Sequence, residues 1–142
     1  MRRDRRVENP GTEKTALALQ AYQIFTDNVL EISLLNLATG AYRVIKRDAR
    51  LLGADLEKEE DFVNYCDRLV NEKIVHEEDA DLFLEQTDLE ALRSVLYHAT
   101  APEFYRYREN VSGQYIWVTT EVLPCRGCCA QNPWATVLVR ND

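Results

Sequence analysis

Strand-forming runs stand at both ends of this chain with helix-forming runs between them, and that segregation limits the folds open to it. The last third carries three β-rich stretches, Phe104 to Arg108, Gln114 to Leu123 and Ala135 to Arg140, with Ser112 and Gly113 breaking the first pair. In the longest stretch Ile116, Val118, Thr120 and Val122 point one way, and Trp117, Thr119, Glu121 and Leu123 point the other. The second set includes a charge, so the first set is the inward face. At the front, Val29 to Leu35 and Ala41 to Lys46 form a hairpin around Asn36, Thr39 and Gly40, residue types that suit a tight turn.

The middle is helical. Phe62, Tyr65, Cys66 and Leu69 fall at i, i+3, i+4 and i+7, which places them on one buried helix face. His76 to Leu84 reads as a turn entering a short helix, with Glu78 and Asp79 near its start, where negative charge is favourable. Thr87 with Glu90 makes a capping-box pattern, opening a helix that carries Leu89, Leu92 and Leu96 and ends near Pro102. The charged, weakly patterned stretch from Asp48 to Asp61 reads as a connector with a short helix around Leu51 and Leu52.

Ahead of all this, Thr12 to Thr26 predicts a helix with Thr12 as N-cap and Ala18, Tyr22 and Phe25 at helical spacing. Leu17, Ala21 and Ile24 form a second stripe beside them, an apolar surface broad enough to cover a second partner. The expected architecture is α+β: a five-stranded antiparallel sheet with helices on one face and the amino-terminal helix flanking the other. The expected division is a disordered basic tail over 1–11, a flanking helix over 12–28 and one globular domain over 29–142.

Bulk composition narrows function. The 142 residues, 46% of them hydrophobic, suffice for one real core. A net charge of −7 argues against a nucleic-acid partner, since phosphate contacts need a surplus of Lys and Arg. The basic run Arg2, Arg3, Arg5 and Arg6 is followed by polar residues, not by the apolar core of a signal peptide. No stretch approaches the roughly 20 apolar residues that membrane insertion requires. Cys66 is isolated, and Cys125, Cys128 and Cys129 crowd one short segment, unlike a secreted disulfide scaffold. The expected compartment is therefore reducing and cytoplasmic. The sequence offers no nucleophile with a base, no carboxylate pair with a geometric warrant and no glycine-rich phosphate loop, so no enzyme is expected.

Three local motifs carry a resemblance to a known family. Asn36-Leu37-Ala38-Thr39-Gly40-Ala41-Tyr42 resembles the first hairpin of PAS domains, and Val75-His76-Glu77-Glu78-Asp79 resembles their "I-H-P-x-D" lead-in to a middle helix. Tyr107-Arg108 followed by Gly113-Gln114-Tyr115-Ile116-Trp117-Val118 resembles their "Y-R … D-G-x-x-x-W" strand pair. The resemblance covers roughly Val29 to Arg140, and is nearest to the variants that precede diguanylate cyclase or histidine kinase domains in bacterial signalling proteins. Glu77 stands where that family usually has proline, Ser112 where aspartate is common, and Asn36 replaces the usual aspartate of the first turn. The resemblance implies a non-enzymatic sensory domain that holds a small molecule or partner and regulates an attached output domain. Its alternative is a ligand-free dimerisation module.

A pocket, in this reading, lies between the inward strand face and the opposing helix face, walled by Phe62, Tyr65, Leu69, Val118 and Thr120, with Tyr42 and Tyr105 as polar-tipped additions. A homodimer would use Leu17, Ala21, Ile24 and Trp117. Cys125, Cys128 and Cys129 are weak metal candidates, because the Cys-x-x-Cys step lacks a second ligand pair nearby in sequence. Asn64-Tyr65-Cys66-Asp67-Arg68-Leu69 matches poorly the "N-C-R-F-L-Q" helix of flavin-binding relatives, and burial as a small hydrophobe accounts better for Cys66. His76 and His98 have capping and helix-end positions that account for them without haem. No cofactor is expected.

Overall fold

Alternation and turn chemistry produce a single antiparallel sheet. The computed structural model describes residues 28–48, 50–51 and 59–142. Its strands are β1 (Val29–Asn36), β2 (Ala41–Arg47), β3 (Glu59–Asp61), β4 (Glu103–Val111), β5 (Gln114–Pro124) and β6 (Trp134–Asn141), in the order β3-β2-β1-β6-β5-β4. Pairing of β1 with β6 joins the front hairpin to the last three strands. The helices between them are α1 (Phe62–Asn71), a 3-10 turn (Glu77–Asp79), α2 (Ala80–Gln86) and α3 (Leu89–Leu96). The class is α+β.

Two turns fix the hairpins. Asn36 Oδ1 accepts from the backbone N–H of Ala38 (2.9 Å) and Thr39 (3.0 Å), and Gly40 closes the turn at φ +83°. Between β4 and β5, Ser112 (φ +53°) and Gly113 (φ +86°) form the two-residue loop, and both positive angles match the twist of the flanking strands.

The sheet has six strands where five were expected. The addition, β3, lies in the stretch read as connector: its three acidic residues pair with Ala41 to Arg43 and satisfy backbone groups on the open edge of β2. Asp61, at its end, also caps α1 by accepting from Asn64 N–H at 3.0 Å. Leu51 lies outside any helix, and Leu52 falls outside the described residues. The capping box at Thr87 and Glu90 is also corrected. Asp88 has the extended backbone of an N-cap and accepts from Ala91 N–H at 3.0 Å. Thr87 instead ends α2, its hydroxyl donating to the Phe83 carbonyl at 2.8 Å. The basic tail over 1–11 and the flanking helix, with Leu17, Ala21 and Ile24, lie outside the described residues.

The main core forms between the inner sheet face and the helices. Phe62, Tyr65, Cys66 and Leu69 of α1 are all buried, as the spacing predicts, with Leu92 and Leu96 of α3 and Val118 and Val122 of β5. A smaller cluster of Val29, Ile32 and Leu138 lies apart from it.

Candidate functional site: a polar cavity in the core

The core is unusually polar where it meets α1. In the apolar run of β1, Glu31 is only 3% exposed, and three hydroxyls converge on its carboxylate. Tyr42 donates to Oε2 at 2.6 Å, Ser33 to Oε2 at 3.1 Å, and Tyr65 to Oε1 at 3.2 Å. A buried carboxylate is tolerable only with such compensation. Tyr42 packs on Tyr65 and Phe62 with ring centroids 4.9 and 5.1 Å away, so α1 and β2 hold each other's donors in place.

From the other half of the sheet, β4 alternates Tyr105, Tyr107, Glu109 and Val111 inward, all buried. Tyr107 shares a 2.7 Å hydrogen bond with Thr120 of β5 and stacks edge-on against Phe83 of α2. Burial, reinforced by the negative charge of Glu31, pushes the Glu109 carboxyl up to about 8, with Arg47 and hydrogen bonding from Tyr107 opposing the rise. Burial also raises the phenols of Tyr42, Tyr65 and Tyr107, so they stay protonated donors. Cys66 beside them is pushed up to about 12 by burial, which makes it an inert thiol.

These groups surround a cavity of about 30 Å³, room for a water or two. The hydroxyl of Tyr105, whose side chain forms part of the wall, has no hydrogen-bond partner and is the one buried side-chain polar atom so placed among the described residues. Of the residues chosen from sequence, Tyr42, Phe62, Tyr65, Leu69, Tyr105 and Thr120 line the cavity; Val118 is buried in the core but does not. Sequence reasoning missed Glu31 and Glu109, the two groups with the most chemistry.

Two of the sequence motifs meet on the neighbouring edge. The Arg108 guanidinium holds Asp79 through Nε (2.9 Å) and Nη2 (3.0 Å), while its backbone N–H also donates to Asp79 at 2.9 Å. That pairing keeps the Asp79 carboxyl below its ordinary value. His76 Nδ1 accepts from Glu78 N–H at 3.0 Å, opening the 3-10 turn, and its ring meets Tyr115 edge-on. Trp117 lies on the opposite sheet face, 40% exposed, with the guanidinium groups of Arg106 and Arg108 at 4.2 and 5.0 Å from its ring centre.

The cysteine segment forms a turn between β5 and β6. Cys128 N–H donates to the Cys125 carbonyl at 3.1 Å, Gly127 takes φ +71°, and the Cys128 carbonyl accepts from His98 N–H at 2.7 Å. Cys128 is fully buried, while Cys125 and Cys129 are partly exposed. Among the described residues no three His, Cys, Asp or Glu side chains gather as metal ligands, and no helix is long and apolar enough to cross a membrane.

No family model matches this chain, and no curated protein matches it. Among solved structures, a PAS domain of an HTR-like protein from Haloarcula marismortui is similar at 12% identity and a TM-score of 0.44, over 95% of this chain and 99% of that one.

Proposed function

We propose that this chain is a non-enzymatic sensory domain of the PAS type, which binds a small molecule in its core cavity and regulates an attached output domain through the resulting change in packing. The observation that carries this reading is the chemistry of the cavity. Two carboxylates and four tyrosines line one small space between sheet and helices, and one of those tyrosines, Tyr105, has a buried hydroxyl without a partner. A core that served only to hold the fold would be at least as stable with apolar residues at positions 31 and 109. A ligand with different affinity for two packings of α1 on the sheet supplies the coupling that a sensor needs.

The test is native mass spectrometry of the purified protein together with a thermal-shift screen of cationic, neutral and anionic small molecules. The reading predicts a trapped compound or a saturable rise in Tm that is lost or weakened when Val122→Ile adds a methylene to the cavity wall. A folded protein that neither carries nor responds to any class would refute it.

A ligand-free dimerisation module is the second reading. Phe104, Trp117 and Trp134 are 57%, 40% and 41% exposed on β4, β5 and β6. Light scattering on Trp117→Glu would then report a smaller assembly than wild type.

A further inference from the structure

We infer that the ligand of this cavity is a compact ammonium ion, ammonium to methylammonium in size, held by Glu31 and Glu109 within the tyrosine walls. The inference rests on the sensory reading above and adds the ligand's chemical class. Both carboxylates face one cavity, and Arg47, opposite Glu31 on β2, is the guanidinium whose charge acts on Glu109. Among the described residues, ionising both carboxylates therefore sets two negative charges against the one guanidinium that acts on Glu109.

The walls favour an ammonium ion over a metal ion. The rings of Tyr42, Tyr65, Tyr107 and Phe62 form part of the cavity wall, and ring quadrupoles attract cations that shed their water readily. A hard divalent ion is held mainly by carboxylate, carbonyl and water oxygens, whereas most of the oxygens lining this cavity are protonated phenol and threonine hydroxyls. The unpartnered Tyr105 hydroxyl can accept one of the ammonium hydrogens, a role that its surroundings leave vacant. The volume of about 30 Å³ limits the guest to one or two heavy atoms without repacking.

Proton linkage follows. Among the described residues, the titratable and charged groups around Glu109 are Glu31 of β1, Tyr42 and Arg47 of β2, Tyr65 and Cys66 of α1, and Tyr105 and Tyr107 of its own strand; Phe83 and Thr87 of α2 and Thr120 of β5 add none. Of these, Glu109 changes charge near neutral pH. An entering cation favours its ionised form, so binding at pH 7 releases nearly one proton and at pH 9.5 almost none. Affinity rises with pH up to about 8 and then levels off.

Calorimetric titration of the intact chain with methylammonium chloride, in buffers of differing ionisation enthalpy and matched in salt with sodium chloride, tests this. The expected result is saturable binding with that proton release, weakened about tenfold or more by Glu109→Gln, which imitates the protonated carboxyl and so keeps the fold. Glu31→Gln should abolish binding; should it fail to fold, Glu109→Gln and the proton count decide. Cavity-dependent binding of formate, formamide or calcium with methylammonium inert overturns the ammonium assignment and leaves the sensory reading standing. Binding of methylammonium that ignores Glu109→Gln also overturns it. No binding by any probe, with no trapped compound in the native mass spectrum, overturns both.

Discussion

Replacing Glu109 by glutamine should make this protein more stable in mild alkali and barely change it in acid. Glu109 ionises at its ordinary value of 4.5 in the unfolded chain but at about 8 in the native one, because burial and the charge on Glu31 oppose its ionisation. Between those values the native state binds more protons than the unfolded state, so stability falls as pH rises. The contribution is fully present below pH 4.5 and is lost progressively until the native carboxyl itself ionises near pH 8. At about 1.4 kcal/mol per pH unit, the loss amounts to at most about 5 kcal/mol, a large share of a small domain's total stability. Glutamine keeps the shape and donor capacity of the protonated carboxyl without titrating. Urea unfolding of wild type and Glu109→Gln at half-unit steps from pH 4.5 to 8.5 measures the difference directly. Titrations common to both proteins, such as Asp79 and Asp142, cancel in that difference. A stability difference that stays flat across this range would refute the assignment of Glu109 as a buried neutral acid.

Other perturbations follow from the same geometry. Tyr42→Phe removes the 2.6 Å donor from Glu31 and leaves a buried carboxylate short of one hydrogen bond, which should cost about 2–3 kcal/mol in urea unfolding. Gly40→Ala should cost about 1–2 kcal/mol, since an L side chain at φ +83° is strained and its Cβ would lie 3.2 Å from Asp61 Oδ1 and 3.3 Å from Leu89 Cδ2. A thiol-reactive dye should modify Cys125 and Cys129 quickly and Cys66 only on unfolding, because Cys66 is buried with its thiol pushed up to about 12; mass spectrometry of the early adducts identifies the sites.

The parts of this fold legible in sequence are those where one local period decides burial. The α1 face from Phe62 to Leu69 and the inward set Ile116, Val118, Thr120 and Val122 repeat at helix and strand spacing, and all are buried except Ile116 near the start of β5, which is partly buried against the core. Local signals compete at Thr87 and Asp88, two capping residues in succession, and backbone geometry assigns each to a different helix end. For β3 no local signal exists: Glu59, Glu60 and Asp61 pair because the edge of β2 offers partners.

Glu31 and Glu109 were hidden for a different reason. Glu31 interrupts an apolar run, where a charge ordinarily marks a solvent face, and nothing nearby in sequence announces that Tyr42 and Tyr65 will supply its donors. Glu109 lies one residue past the Phe104 to Arg108 stretch that reads as strand, whereas β4 runs on to Val111; carrying the alternation Tyr105, Tyr107 onward places it inside. The strands bearing them are not neighbours, since β6 and β5 separate β1 from β4. Each carboxylate alone is a local oddity, and only the sheet's order, with α1 across it, turns the two into one cluster. The charge on Glu31 adds to burial in raising the Glu109 carboxyl, so Glu31→Gln should bring it part of the way back toward its ordinary range. Carboxyl chemical shifts followed against pH in that variant would report the change, and an unmoved Glu109 titration would mean that burial alone sets it.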